Sequence, residues 1–421
     1  MARSTPHPRI LPPLVEPGDE LTPEQVTRFS RHIVIPDFGQ EAQRRLLAAK
    51  VAVIGAGGLG SPILLYLAAA GVGTVGIIDD DSVESSNLQR QVIHGTQDIG
   101  RPKGESARDS ILERNPDATV RLHPVRLTSK NAIKILGDYD LVIDGSDNFS
   151  TRYLASDAAE ILGIPCVWGS ILRYSGQAST FWAAPNDGLP GVTYRDLFAQ
   201  PPAPGTVPSC AEGGVLGVLC SMIGTIMATD TIKLITGIGS TLLGRIVNYD
   251  AQLMSWREIT IGPDPERTPV TQLDDYDALC GITPRAQNHS SREHTDSEGF
   301  PETHESVEWS SSFLAAALTE RASGTRKFRL IDIRESHERE LAVIQNSEHI
   351  PLNDLLHQLH NTTSLQHALH PDEEIVLYCH HGSRSDYARQ MLNAAGYTRV
   401  RHLQGGIDRW SLDVDPSIPR Y

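Results

Sequence analysis

Val51-Ala52-Val53-Ile54-Gly55-Ala56-Gly57-Gly58-Leu59-Gly60-Ser61-Pro62 decides how this chain reads. The four leading apolar residues predict a buried strand. Gly55, Gly57 and Gly60 predict a turn that a ligand can approach closely, and Pro62 falls in the first turn of a helix, where its missing N–H is not needed. A strand, a glycine turn and a helix N-terminus together offer unpaired N–H groups and a positive dipole end to a phosphate. Asp79 closes the next apolar run, where a carboxylate can accept hydrogen bonds from ribose hydroxyls. ATP and NAD satisfy this pattern equally well.

Outward from that turn, apolar runs at 51–55, 75–79 and 141–144 alternate with helical patterns at 61–71 and 103–114, the rhythm of a Rossmann-like α/β domain with a parallel sheet. Each strand end is followed by polar residues: Asp79 to Gln91 carries Asn87 and Arg90, Arg101-Pro102-Lys103 opens a helix, and Asp144-Gly145-Ser146-Asp147-Asn148 follows the third strand. Hydride transfer has no evident use for these cations. Chemistry at an α-phosphate does, because charge on phosphoryl oxygens calls for Arg and Lys donors, with a carboxylate such as Asp147 to hold Mg²⁺. An NAD-dependent oxidoreductase is therefore the alternative rather than the first reading.

The chain has 421 residues with 37 Lys+Arg against 52 Asp+Glu, a net charge of −15, which argues against nucleic acid or an anionic membrane as the main partner. Its length calls for two or three domains. The first 20 residues are rich in proline and have no apolar core, so no export signal is expected, and the apolar 215–235 stretch, broken by Gly224, Asp230 and Lys233, reads as a buried helix rather than a membrane span. Five cysteines without close pairs suit a reducing cytoplasm. The expected layout is a proline-rich arm at 1–20, a nucleotide domain at 21–270, a polar linker at 271–306 and a smaller α/β domain at 307–421.

Arg28-Phe29-Ser30-Arg31-His32-Ile33, the glycine turn, Ser86-Asn87-Leu88-Gln89-Arg90-Gln91, Gly100-Arg101-Pro102-Lys103-Gly104-Glu105-Ser106-Ala107 and Asp144-Gly145-Ser146-Asp147-Asn148-Phe149 together resemble the ThiF/MoeB-like adenylating enzymes that activate ubiquitin-like sulfur carriers. The resemblance implies ATP and Mg²⁺ as cofactors and a homodimer. It places Gly55, Gly57, Gly58, Gly60 and Asn148 around the nucleotide, Asp79 on the ribose, Asn87, Arg90 and Lys103 on the phosphates, Asp147 on the metal and Arg31 on the nucleotide of the partner subunit. The carboxylate of a carrier ending in Gly-Gly would attack the α-phosphate. Many such enzymes hold a structural zinc with two C-x-x-C pairs. Here those stretches read Thr193-Tyr194-Arg195-Asp196 and Asp264-Pro265-Glu266-Arg267-Thr268-Pro269, without cysteine, so no structural zinc is expected and packing should take its place.

Two thiols stand out. Cys210 follows a proline-rich loop and precedes the buried helix; in the resembling enzymes a matching cysteine lies beside the adenylate. Cys379 ends the strand-like run 375–379 and opens the loop Cys379-His380-His381-Gly382-Ser383-Arg384, in which loop N–H groups and a helix dipole are expected to stabilise a thiolate or persulfide and Arg384 to add a cation. With Leu330-Ile331-Asp332-Ile333-Arg334-Glu335 and His402-Leu403-Gln404-Gly405-Gly406-Ile407-Asp408-Arg409-Trp410, this half resembles a rhodanese domain. Histidines between His357 and His370 read as a solvated face rather than a metal site.

In this order the two domains resemble fused adenylyltransferase/sulfurtransferase (MoeZ-type) enzymes. That resemblance implies adenylation of a β-grasp sulfur carrier, then sulfur transfer from a Cys379 persulfide, with Cys210 resolving the product. The persulfide would come from thiosulfate or a cysteine desulfurase. A ligase forming a carrier thioester without sulfur transfer, and a non-catalytic scaffold, are the remaining alternatives.

Overall fold

A computed structural model describes residues 10–202, 213–280, 307–360 and 369–421. The chain forms two compact units, one built on residues up to about 284 and one on the residues after it. Cys210 lies outside the described residues, as do most of the linker, the first nine residues of the N-terminal arm and residues 361–368 of the His-bearing insert.

The first unit is built on an eight-stranded sheet in the order β3-β2-β1-β4-β5-β6-β7-β8. Its strands are β1 (Lys50–Ile54), β2 (Thr74–Ile78), β3 (Thr119–His123), β4 (Leu141–Asp144), β5 (Cys166–Leu172), β6 (Ser175–Phe181), β7 (Arg245–Asp250) and β8 (Ser255–Thr260). β1 to β5 are parallel, and β5 then pairs antiparallel with β6, which continues antiparallel to β7 and β8. The near-continuous apolar runs of β1, β2 and β4 are what a strand covered on both faces requires.

From β1 the chain steps outward through β2 to β3, then returns to the other side of β1 with β4 and β5. Right-handed crossovers put the connecting helices on opposite faces and open a crevice where β1 and β4 diverge, at their C-terminal ends. The Gly217–Thr236 helix is the one described helix long and apolar enough to cross a membrane. It packs instead against β5, β6 and the Gly60–Ala70 helix. The arm is held down from residue 11 onward: Leu11 and Val15 are buried, and the Leu14 N–H donates to the Leu234 carbonyl at 2.9 Å.

The second unit has five parallel strands in the order β11-β10-β12-β13-β9. These are β9 (Glu308–Trp309), β10 (Arg329–Asp332), β11 (Glu348–His349), β12 (Ile375–Tyr378) and β13 (Val400–Leu403). The fully buried central strand β12 delivers Cys379 at its C-terminal end.

Candidate active sites

A cavity of about 460 Å³ opens at the C-terminal ends of β1, β2 and β4. Gly55, at φ 88°, turns the chain off β1 and its N–H still bonds the Ile78 carbonyl at 2.9 Å. At Gly60 a Cβ would lie 1.9 Å from the Gly55 carbonyl oxygen, so only glycine lets the helix start so close to the strand. Asp79 fastens the turn: its carboxylate accepts from the Ala56 N–H at 2.7 Å and the Asp81 N–H at 2.9 Å, and burial raises its pKa. His94, which sequence reasoning missed, braces the other side, with Nε2 3.0 Å from the Ala56 carbonyl and Nδ1 2.8 Å from the Ser106 hydroxyl.

Gly55, Gly57, Gly58, Asp79, Arg90, Lys103, Asp147 and Asn148 all line this cavity. Lys103 is buried, its Nζ 2.8 Å from Asp81, and Arg90 donates to the Ser86 carbonyl at 3.0 Å. Three expected residues stand elsewhere. Gly60 supports the turn from behind. Asn87 is not on the wall, because its side-chain oxygen accepts the Glu84 N–H at 3.1 Å and closes its own turn. Arg31 is exposed and outside the cavity. Asn148 caps the Phe149–Leu162 helix, its oxygen accepting the Thr151 N–H at 2.9 Å. The same helix carries Arg152 into the wall, a residue sequence reasoning did not single out.

The cysteine-free clip corrects the expectation that packing alone replaces zinc. Both stretches converge on one carboxylate. Asp196 Oδ2 accepts from the Thr193 N–H at 2.6 Å and hydroxyl at 2.8 Å, and its Oδ1 accepts from the Asp264 N–H at 2.8 Å and Arg267 Nε at 3.2 Å. Arg267 also reaches both Glu160 oxygens at 3.0 Å. A buried anion ringed by donors stands where a cation ringed by thiolates would, and this donor set does not suit zinc.

In the second unit Cys379 is fully buried. Its Sγ accepts from the Gly382 N–H at 3.1 Å and the Ser385 hydroxyl at 3.5 Å, with Gly382 at φ 97°. The loop is also tied down from behind: the Ile407 and Asp408 N–H groups donate to the Cys379 and His380 carbonyls at 2.9 and 3.1 Å. At Gly406 a Cβ would meet those two oxygens at 2.5 and 2.3 Å. His380 is buried, stacked between His381 and Tyr421, and burial pushes its pKa down to about 4. His381 and Ser383 are exposed.

Arg384, expected as a cation beside the sulfur, is paired with a carboxylate. Its two Nη atoms donate to the Glu338 carboxylate at 2.8 and 2.7 Å, and that pair is buried. Glu338 was not read from the sequence. The described hydrogen-bond donors to the sulfur are the Gly382 N–H and the Ser385 hydroxyl.

A nucleotide-sized cavity over a glycine turn in one unit, and a strand-end thiol cradled by its own loop in the other, define a two-unit enzyme of activation and sulfur chemistry. The chain matches the ThiF family over residues 29–270 and the rhodanese-like domain over 315–413. It belongs to the ThiF family, among the fused adenylyltransferase/sulfurtransferases. It is 49% identical to the probable adenylyltransferase/sulfurtransferase MoeZ of Mycobacterium tuberculosis, over 98% of this chain and 99% of that protein. A sulfur carrier protein adenylyltransferase of Thermus thermophilus is 48% identical, over 62% of this chain and 98% of that one. Among solved structures, Escherichia coli MccB bound to MccA-N7isoASN superposes with a TM-score of 0.51 at 19% identity, covering 59% of this chain and 75% of that one, a likeness of fold.

Proposed function

We propose that residues 21–270 adenylate the C-terminal Gly-Gly carboxylate of a ubiquitin-like sulfur carrier and that residues 307–421 deliver sulfur to it. The observation that carries this reading is one chain holding both the β1–β4 cavity, lined by Lys103, Arg90 and Asp147, and the buried Cys379 loop. Lys103 and Arg90 suit the phosphates of ATP, and Arg31 the nucleotide of a partner subunit in a homodimer. Asp147, exposed on the cavity wall, suits Mg²⁺, which takes one or two carboxylates and completes its shell with phosphate oxygens and water. The metal would supply charge neutralisation at the phosphates.

In the first step the carrier carboxylate attacks the α-phosphorus and pyrophosphate leaves. In the second the terminal sulfur of a Cys379 persulfide attacks the acyl carbon and AMP leaves, giving an acyl disulfide. Attack of the Cys210 thiolate on Cys379 Sγ then frees the carrier thiocarboxylate and leaves a Cys210–Cys379 disulfide for cellular thiols to reduce. The persulfide itself comes from thiosulfate or a cysteine desulfurase.

The test is the intact mass of a Gly-Gly carrier incubated with the protein, ATP-Mg²⁺ and thiosulfate. Exchange of one carboxylate oxygen for sulfur is expected. It should require ATP and vanish in Cys379→Ala, which keeps carrier-dependent pyrophosphate exchange. Loss of exchange in Cys379→Ala, or tight NADH binding in place of ATP, would overturn the reading.

A further inference from the structure

Three described arginines are buried: Arg152, Arg334 and Arg384. Arg334 is matched by Asp332 at 2.6 Å and Arg384 by Glu338 at 2.7 Å. Among the described residues no carboxylate oxygen comes within 4.0 Å of the Arg152 guanidinium. It lies against the faces of Phe149 and Trp168, at 5.2 and 6.0 Å, with a long bond to the Ser146 carbonyl at 3.4 Å and the neutral Tyr194 hydroxyl beside it, and its Nε has no hydrogen-bond partner among the described residues. A buried charge left without a counterion costs several kcal/mol, so its retention needs an anion to meet it.

Arg152 lines the cavity, and a polar group of its neighbour Trp168 is unmet as well. The Trp168 indole N–H has no hydrogen-bond partner among the described residues. Asp144, fully buried at the end of β4, feels the Arg152 charge but forms no ion pair with it within 4.0 Å, and burial raises its pKa despite that charge.

Position separates this charge from the phosphate donors. Asp79, Lys103 and Arg90 follow β2, whereas Asp147 and Arg152 follow β4, and β1 with its glycine turn lies between them. Two strand spacings are about 10 Å, so a nucleotide seated on the glycine turn leaves the β4 side for the second reactant. The same cavity wall also carries the apolar Ile171 and Val215, which suits a slim chain without side chains.

On the reading given under Proposed function, we infer that Arg152 is the receptor for the terminal carboxylate of the protein being activated. The guanidinium pairs with the attacking carboxylate and, clamped by Phe149 and Trp168, aims it at the α-phosphorus. It takes no part in holding the nucleotide.

The test uses the full chain and a β-grasp carrier ending in Gly-Gly that supports pyrophosphate exchange with the wild type, prepared as free acid and as C-terminal carboxamide. Calorimetry with a non-cleavable ATP analogue should show the wild type favouring the acid about tenfold. Arg152→Met should bind both forms within about twofold of each other, while its affinity for ATP-Mg²⁺ stays within about twofold of wild type. Arg152→Lys should keep part of the acid preference and supplies the same comparison if the Met variant fails to fold. An undiminished acid preference in either variant would overturn the assignment, as would a parallel fall in ATP affinity, which would make Arg152 a phosphate ligand. A wild type that binds acid and amide alike yet still catalyses exchange also sinks it and leaves the adenylation reading intact. Absence of exchange with every carrier tried would remove that reading and the inference together.

Discussion

Burial holds the His380 imidazole neutral, its pKa pushed down to about 4 against about 6.5 in an unfolded chain. The unfolded state therefore binds a proton first as pH falls, and the contribution that is intact above pH 6.5 drains away down to about pH 4, amounting to about 2–3 kcal/mol. Urea midpoints of wild type and His380→Phe at pH 7.5 and 4.5 check this: the substituted protein should lose less stability on acidification. Glu338 has the opposite character, a buried carboxylate whose pKa is lowered chiefly by Arg384 against the cost of burial. Glu338→Gln removes the carboxylate that accepts both Arg384 Nη atoms in a buried ion pair and should cost about 3–5 kcal/mol, read from the same denaturation curves. The sequence betrays such residues unevenly. Asp79, Lys103, Arg90 and Asp147 were legible because each follows a strand end. Glu338 was not, since its partner is 46 positions away, and Asn87 stands off the cavity wall because the same amide that suits phosphate also closes its own turn.

Among elements, β1, β2 and β4 announce themselves as unbroken apolar runs, and the 103–114 helical pattern coincides with the observed Lys103–Arg114 helix. The antiparallel half was not read. β6 is Ser- and Gly-rich, and β8 has only an edge position with most residues exposed, so neither carries a strong hydrophobic period. Local pattern cannot announce a strand whose partner arrives from sixty or more residues away, as β7 does for β6. The Asp196 clip secures this half by hydrogen bonds and by the ion pairs of Arg267 with Asp196 and Glu160. Arg267→Met removes its bonds to Asp196 and Glu160 together and should lower stability by about 2–4 kcal/mol, whereas EDTA should leave the melting temperature of the wild type unchanged. In the sulfur loop, Gly406→Ala drives a methyl group into the Cys379 and His380 carbonyls and should displace the cysteine. Sulfur transfer should fall sharply while pyrophosphate exchange holds, a contrast one preparation can reveal.

For the whole molecule, two compact units with separate cores imply two unfolding transitions. ATP-Mg²⁺ at a hundred times its Kd should stabilise the first by about 2.7 kcal/mol and leave the second where it was, a result calorimetry of the full chain would display directly. A sulfur with no exposed surface is also one that is hard to lose. Oxidants and alkylating agents meet Cys379 only during the fraction of time its loop stands open, so its chemical lifetime follows loop opening rather than thiolate reactivity. The loop is thus a store as much as a tool: on the proposed reading, a persulfide formed there would be shielded as the thiol is, and would outlast the encounter that made it.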